Sequence, residues 1–258
     1  MEKSRHGIEA GGDYRNADLR GLDLSGLDLK GIELSGADLR HANLDGTVFG
    51  WKFGGSNLNR VNLSGASLVN TSFSSCRISG ADFTGADLTN ATFSEAHIFH
   101  STFGNALLHS TSFAVADCRG TNFTDAVLRE TAFWETELSF CDFRNSMFEE
   151  VQWANSYLVG VDFRGVDLSG ADFRGMAPVD LSYSLFANAN LSGANLSGAK
   201  VHFADFSSAN LRGAILDGAD LWKADLTFAD LTDASTNETK FADVLLHKTQ
   251  TGTAKIEP

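Results

Sequence analysis

Three residue types in this chain could do chemistry: cysteine, histidine and the carboxylates. Cys76, Cys118 and Cys141 are the only thiols. A reactive thiol needs a nearby cation, a helix start or a second cysteine to hold it as thiolate. No CxxC pair exists, the count is odd, and all three stand where the chain elsewhere places core side chains. They are read as core filler in a reducing compartment. His97 and His100 flank Phe99, with His109 further on. Such imidazoles ligate a metal only if the fold gathers them, and they are read as solvated surface residues. No nucleotide loop, zinc-protease helix or nucleophile elbow is present, and the GxG-like pairs are corner glycines of a repeat. Catalysis, a metal and a cofactor are therefore not expected.

The repeat that would position these groups has a period of five. From Phe53 to Phe173 a large apolar residue, or Cys118, stands at every fifth position, a spacing that fits neither a helix nor a flat strand. From Phe73 onward the identity alternates: Phe at 73, 83, 93, 103, 113, 123, 133, 143, 163 and 173, with Trp153 in the gap. Between them stand chiefly Leu and Ile, with Cys118 and Phe148. Calling the central residue i, position i−2 is nearly always small or β-branched, and most of the 25 glycines lie at i+2, where a turn needs positive φ. Two units per coil cannot enclose two inward side chains each, and three would mix Phe and Leu in every column. Four units, a 20-residue coil, give two opposite Phe columns and two opposite Leu/Ile columns.

Shorter runs flank this one: Leu19 to Phe49 before it, and Leu181 to Leu246 after it. The spacing drops to four between Phe49 and Phe53, read as one missing residue, and stretches to eight between Phe173 and Leu181. The expected organisation is a tail or cap over 1–14 and one solenoid over 15–248. Its runs are 17–50, 51–175 and 179–248, with register breaks near 50–52 and 176–178, and a C-terminal tail over 249–258 follows. Leu22, Leu27 and Ile32 put large residues where small ones belong, so the first coil should be irregular.

Ala37-Asp38-Leu39-Arg40, Ala81-Asp82-Phe83-Thr84-Gly85, Ala194-Asn195-Leu196-Ser197-Gly198 and Ala224-Asp225-Leu226 resemble the A-(D/N)-L-x-x pattern of the pentapeptide-repeat family. The resemblance implies an all-β fold, a right-handed quadrilateral parallel β-helix with four five-residue faces per coil. About 11–12 coils at ~4.8 Å each would make a rod of roughly 55 Å. It also implies that Phe241, Leu245 and Leu246 either cap the C-terminal end or bury in a homodimer interface, as in several relatives.

Function should then lie on the outer surface. Columns 20 residues apart stack Leu107, Val127 and Met147 at the usually polar position i−1, an outward apolar stripe expected to bind a partner. On the opposite face His97, Phe99, Phe140 and Tyr157 form an aromatic group, with His100 and Val159 beside it. The net charge of −13 argues against nucleic-acid or anionic-membrane binding. Asp82, Asp142 and Asp162, and Glu130 above Glu150, add local negative potential, while the acids between Asp125 and Glu150 wrap the rod as a belt. The start MEKSRHGIEAGGDY has no apolar run, so a cytoplasmic location is expected. Some family members mimic duplex DNA, bind DNA gyrase and protect it from quinolone-type or natural-product poisons. The resemblance therefore implies a gyrase or topoisomerase partner, against a general scaffold that docks its partner on the apolar stripe.

Overall fold

The computed structural model describes residues 7–51, 54–153, 155–174 and 179–256. Parallel bridges join residues 20 apart, as in Asp82↔Thr102, Asp87↔Leu107, Thr92↔Ser112 and His97↔Asp117. Successive bridges along one coil lie five residues apart, so four ladders run up the stack, and among the described residues only the one that begins at Asp18 is bridged at every step. We number them by their first residues: Asp13, Asp18, Asp23 and Asp28 begin ladders one to four. No helix long and apolar enough to cross a membrane occurs among the described residues.

A regular five-residue unit accounts for its own backbone donors. Phe83 N–H donates to Thr102 O at 2.8 Å, Gly85 N–H to Gly104 O at 2.9 Å, and Asp82 N–H back to Val61 O at 2.9 Å. Ala86 N–H closes the corner onto Phe83 O at 3.0 Å. The remaining donor, at i+1, turns to the side chain at i−1: Thr84 N–H to Asp82 Oδ1 at 2.9 Å, and Thr124 N–H to Asn122 Oδ1 at 2.8 Å. That bond explains why Asp and Asn dominate position i−1, since a short side-chain oxygen reaches two residues on. An apolar residue there gives the bond up.

Both size-restricted positions point inward. The central side chains form aromatic stacks: Phe83 and Phe103 lie 4.6 Å apart at 5°, while Phe73 and Phe83 meet edge to face at 5.7 Å and 88°. Like rings thus repeat every coil and neighbouring columns cross, both favoured arrangements of aromatic quadrupoles. At i−2 the small side chain is mostly Ala, with some Val and Cys, or a buried hydroxyl that finds a carbonyl one coil back. Ser101 Oγ donates to Ile78 O at 2.7 Å and Thr111 Oγ1 to Leu88 O at 2.9 Å. Ser156 Oγ donates to Phe133 O in the same way.

The breaks differ from the sequence reading. Glu33↔Asn57 and Asp38↔Asn62 step by 24 residues, so the first break is four added residues rather than one missing. The extra chain turns back as an antiparallel pair, β1 (Gly50–Trp51) with β2 (Gly54–Gly55). Spacing alone cannot separate a loss of one from a gain of four in a period of five. Phe53, taken as a repeat centre, lies outside the described residues, and Leu58 follows Phe49 in the repeat. At the second break Asp162↔Leu185 and Asp167↔Asn190 step by 23, so three residues are added, and 175–178 lie outside the described residues. The expected tail from 249 instead continues the coil: Asp230 bridges Gln250, Thr236 Oγ1 accepts from Lys255 N–H at 3.1 Å, and Ile256 packs on the core. At the other end Ile8 is buried, and Tyr14 Oη donates to Gly7 O at 2.9 Å, which ties the first turn down. Leu22 and Leu27 are only partly buried while Ile32 is fully covered. The pairs β3 (Val127–Arg129) and β4 (Met147–Glu149) are the longest regular strands among the described residues.

Candidate protein-binding surface

The interior holds no poised reactive group among the described residues. All three cysteines are buried, and burial pushes the Cys76 thiol up to about 12 and those of Cys118 and Cys141 upward too. Cys141 Sγ donates to Cys118 O at 3.0 Å, the same bond that serine and threonine make at that position. No group of three His, Cys, Asp or Glu gathers as a metal site among the described residues.

Ladder three carries the apolar stripe. Asp87, Leu107, Val127 and Met147 stack in that order, with Leu107 45% and Met147 55% exposed. These three positions give up the i−1 acceptor, so the stripe has a local cost of order 1 kcal/mol per lost bond.

Ladder one carries the aromatic group, but not as one cluster. His97, Asp117, Glu137 and Tyr157 stack in succession, so three coil steps separate His97 from Tyr157. Phe99 and Phe140 do come together, with His100, Arg119 and Gly120, around a shallow hollow of ≈ 490 Å³. The corner explains how. His100 and Phe140 sit at i+2 with φ of 57° and 62°, and each leans over the glycine of the next coil. A Cβ on Gly120 would lie 2.8 Å from His100 Nδ1, and one on Gly160 would lie 2.7 Å from Phe140 Cδ1. Asn16 over Gly36 repeats the arrangement. Before the second break, large side chains on this corner therefore alternate with glycines that make room for them.

The same edge continues past the second break. Tyr183 and Phe203 occupy that corner in successive coils and stack at 5.0 Å and 4°, and Phe203 meets Trp222 edge to face at 4.9 Å. Lys223 Nζ lies 4.6 Å from the Trp222 ring, a cation–π contact. Sequence reasoning missed these residues because a 20-residue count does not cross a 23-residue step.

The acids also align once both breaks are counted. Ladder two runs through Asp18, Asp38, Asp82, Asp142, Asp162, Asp205 and Asp225. Four are clasped two residues on: Arg20, Arg40, Arg144 and Arg164 reach Asp18, Asp38, Asp142 and Asp162 at 2.6–2.7 Å. The Arg20 hydrogen bond holds the Asp18 carboxyl down at about 2. Burial opposes ionisation of Asp142, but the Arg144 hydrogen bonds prevail and its carboxyl titrates below the usual range. Glu130 and Glu150 fall at the same corner of successive coils, both with φ near 54°.

The family described as pentapeptide repeats matches this chain in eight copies, over residues 15–50, 56–94, 136–175, 179–213 and 204–241. No curated protein matches it. Among solved structures, a trypsin-treated variant of QnrB1, a plasmid-mediated fluoroquinolone resistance protein, is similar at 19% identity and TM-score 0.48, covering 71% of this chain and 88% of that one. HetL, involved in heterocyst differentiation regulation in Nostoc sp. strain PCC 7120, is similar at 23% identity and TM-score 0.31, covering 99% and 94%. A pentapeptide repeat protein of the Arabidopsis thaliana thylakoid lumen is similar at 22% identity and TM-score 0.24, covering 52% and 67%.

Proposed function

Because the chain belongs to the pentapeptide repeat family, we propose that it is a non-enzymatic protein-binding rod, a right-handed coil whose outer faces do the work. Its most specific role is that of a duplex-DNA mimic that binds DNA gyrase or a related type II topoisomerase and protects it from quinolone-type or natural-product poisons, as some family members do. The observation that carries this reading is ladder two, seven aspartates in one line on a chain of net charge −13. The line is interrupted by Asn62, Thr102, Asn122 and Leu185, but carboxylates aligned on a rod suit a basic, DNA-holding saddle, and electrostatic attraction of this kind speeds encounter more than it deepens affinity. Arg20, Arg40, Arg144 and Arg164 neutralise part of the line, which leaves Asp82, Asp205 and Asp225 as its unclasped members. The test is a purified gyrase supercoiling assay with and without a quinolone. Inhibition at micromolar protein, or rescue from the poison, supports the mimic, and neither effect sinks it.

A second reading rests on the apolar stripe, which would dock a protein partner of a scaffold or regulator. Leu107, Val127 and Met147 stand in unbroken register. Replacing all three by Asp restores the i−1 acceptor, so the rod should stay folded while partner capture is lost. Unchanged capture by that variant counts against the stripe.

A further inference from the structure

Between residues 145–153 and 165–172 the stack is parted. Among the described residues no bridge joins Met147 to Asp167 or Gln152 to Asp172, and no backbone hydrogen bond crosses from one segment to the other. Each segment is bonded normally on its outer side: Met147 N–H to Ala126 O at 2.9 Å, and Leu168 N–H to Asn190 O at 2.7 Å. The opening is a cavity of ≈ 810 Å³ with Met147, Phe148, Trp153 and Leu168 in its walls and Glu150, Asp167 and Asp172 at its margin.

Side-chain volume accounts for the parting. Phe148 stands in a column that otherwise holds Leu88, Leu108, Leu128 and Leu168, and Trp153 takes a phenylalanine place in the same coil. Phe148 tilts against both neighbours, 5.5 Å and 57° from Phe143 and 5.4 Å and 40° from Trp153, while Trp153 stacks on Phe133 at 5.3 Å and, across the opening, on Phe173 at a wider 6.1 Å. Overfilling a packed layer moves its backbone, and here the layer above gives way on ladders three and four.

Two coil edges therefore face each other without the bonds that close the stack elsewhere, such as Leu108 N–H to Val127 O at 2.9 Å and Phe113 N–H to Ala132 O at 2.8 Å. Each edge presents donors and acceptors in alternation, the template to which an added strand pairs. We propose that this opening binds an extended peptide of another protein, with apolar and basic side chains in alternation, paired edge to edge with the parted coils. The peptide backbone answers the unjoined N–H and C=O groups, which an aliphatic ligand would leave unmet. Alternate side chains then point inward to Phe148, Trp153 and Leu168 and outward to the carboxylates. Asp172 is already clasped by Arg174 at 2.7 Å, so Glu150 and Asp167 are the carboxylates that meet the peptide's cations. This site stands independently of the acidic ladder and of gyrase.

The test is fluorescence anisotropy with a labelled hexapeptide alternating valine and lysine, on the full chain. Saturable binding is expected, weakened about tenfold or more by backbone N-methylation of the peptide, by exchange of its lysines for glutamates, and by Glu150→Lys. The variant F148L/W153F returns both positions to the regular repeat, so it should fold, close the opening and lose the peptide. The proposal is overturned by absence of saturable binding to the native chain. It is equally overturned by equal affinity for the N-methylated peptide, or by undiminished binding to F148L/W153F.

Discussion

The coils from Phe73 to Phe143 and the coil from Phe143 to Phe163 follow one repeat, yet the first set seals and the second parts. In the sealed region every coil alternates phenylalanine with a smaller apolar residue, and like rings stack at 4.6–5.1 Å. In the parted coil Phe143, Phe148 and Trp153 follow one another with no small residue between their columns. Apolar identity at every fifth position makes the solenoid, and volume at those positions decides where it closes. The lesson is about packing rather than hydrophobicity.

The sharpest contrast comes from removing an aromatic on each side. Phe103→Ala takes away stacks with Phe83 and Phe123 and edge contacts with Phe93 and Phe113, and should cost about 3–5 kcal/mol in chemical denaturation. Phe148→Leu should act in the opposite sense and stabilise by about 1 kcal/mol, because it relieves overfilling. Destabilisation by both would erase the distinction between the regions.

The corners give a smaller effect of the same kind. Gly120→Ala places a Cβ against His100 at φ +64° and should destabilise by about 1–2 kcal/mol, read as a lowered denaturation midpoint. Val115, a β-branched and exposed residue held at φ 61°, should gain about 1 kcal/mol on replacement by Gly. Inside the sealed region Thr111→Val should cost about 1 kcal/mol by deleting the bond to Leu88 O.

The smallest effect is titration. The carboxyls of Asp18, Asp38, Asp117 and Asp172 are all lowered, chiefly by hydrogen bonds from Arg20, Arg40, Arg119 and Arg174. A depressed folded-state pKa contributes stability above the unfolded value, near 3.8 for aspartate, that is lost as pH falls through the folded one. Melting temperature should therefore stay level down to about pH 4 and drop gradually towards pH 2. High salt should shrink that drop, since these pairs are exposed.

The fold was legible because the five-residue period is carried by buried side chains whose loss is costly, and the Phe alternation counted the faces. What spacing hides is backbone that leaves the stack. Phe53 kept the apolar rhythm although Gly50–Trp51 and Gly54–Gly55 pair as an excursion, and the 23-residue step separated Tyr183, Phe203 and Trp222 from Phe140. Thr251 and Ile256 continued the repeat among polar neighbours and read as a tail. Leu107, Val127 and Met147 were found because their ladder lies between the two breaks. The parted coil was illegible for another reason: Phe148 and Trp153 satisfy an apolar pattern, which records that a side chain is buried but not how much space it fills.

Amide hydrogen exchange across the stack tests most directly whether volume sets closure. The amides of Phe148, Trp153, Asp167 and Asp172 should exchange far faster than those of Leu108, Phe113, Val127 and Ala132, and F148L/W153F should bring the two sets together. Equal protection of both sets in the native chain, or fast exchange that persists in F148L/W153F, would contradict it.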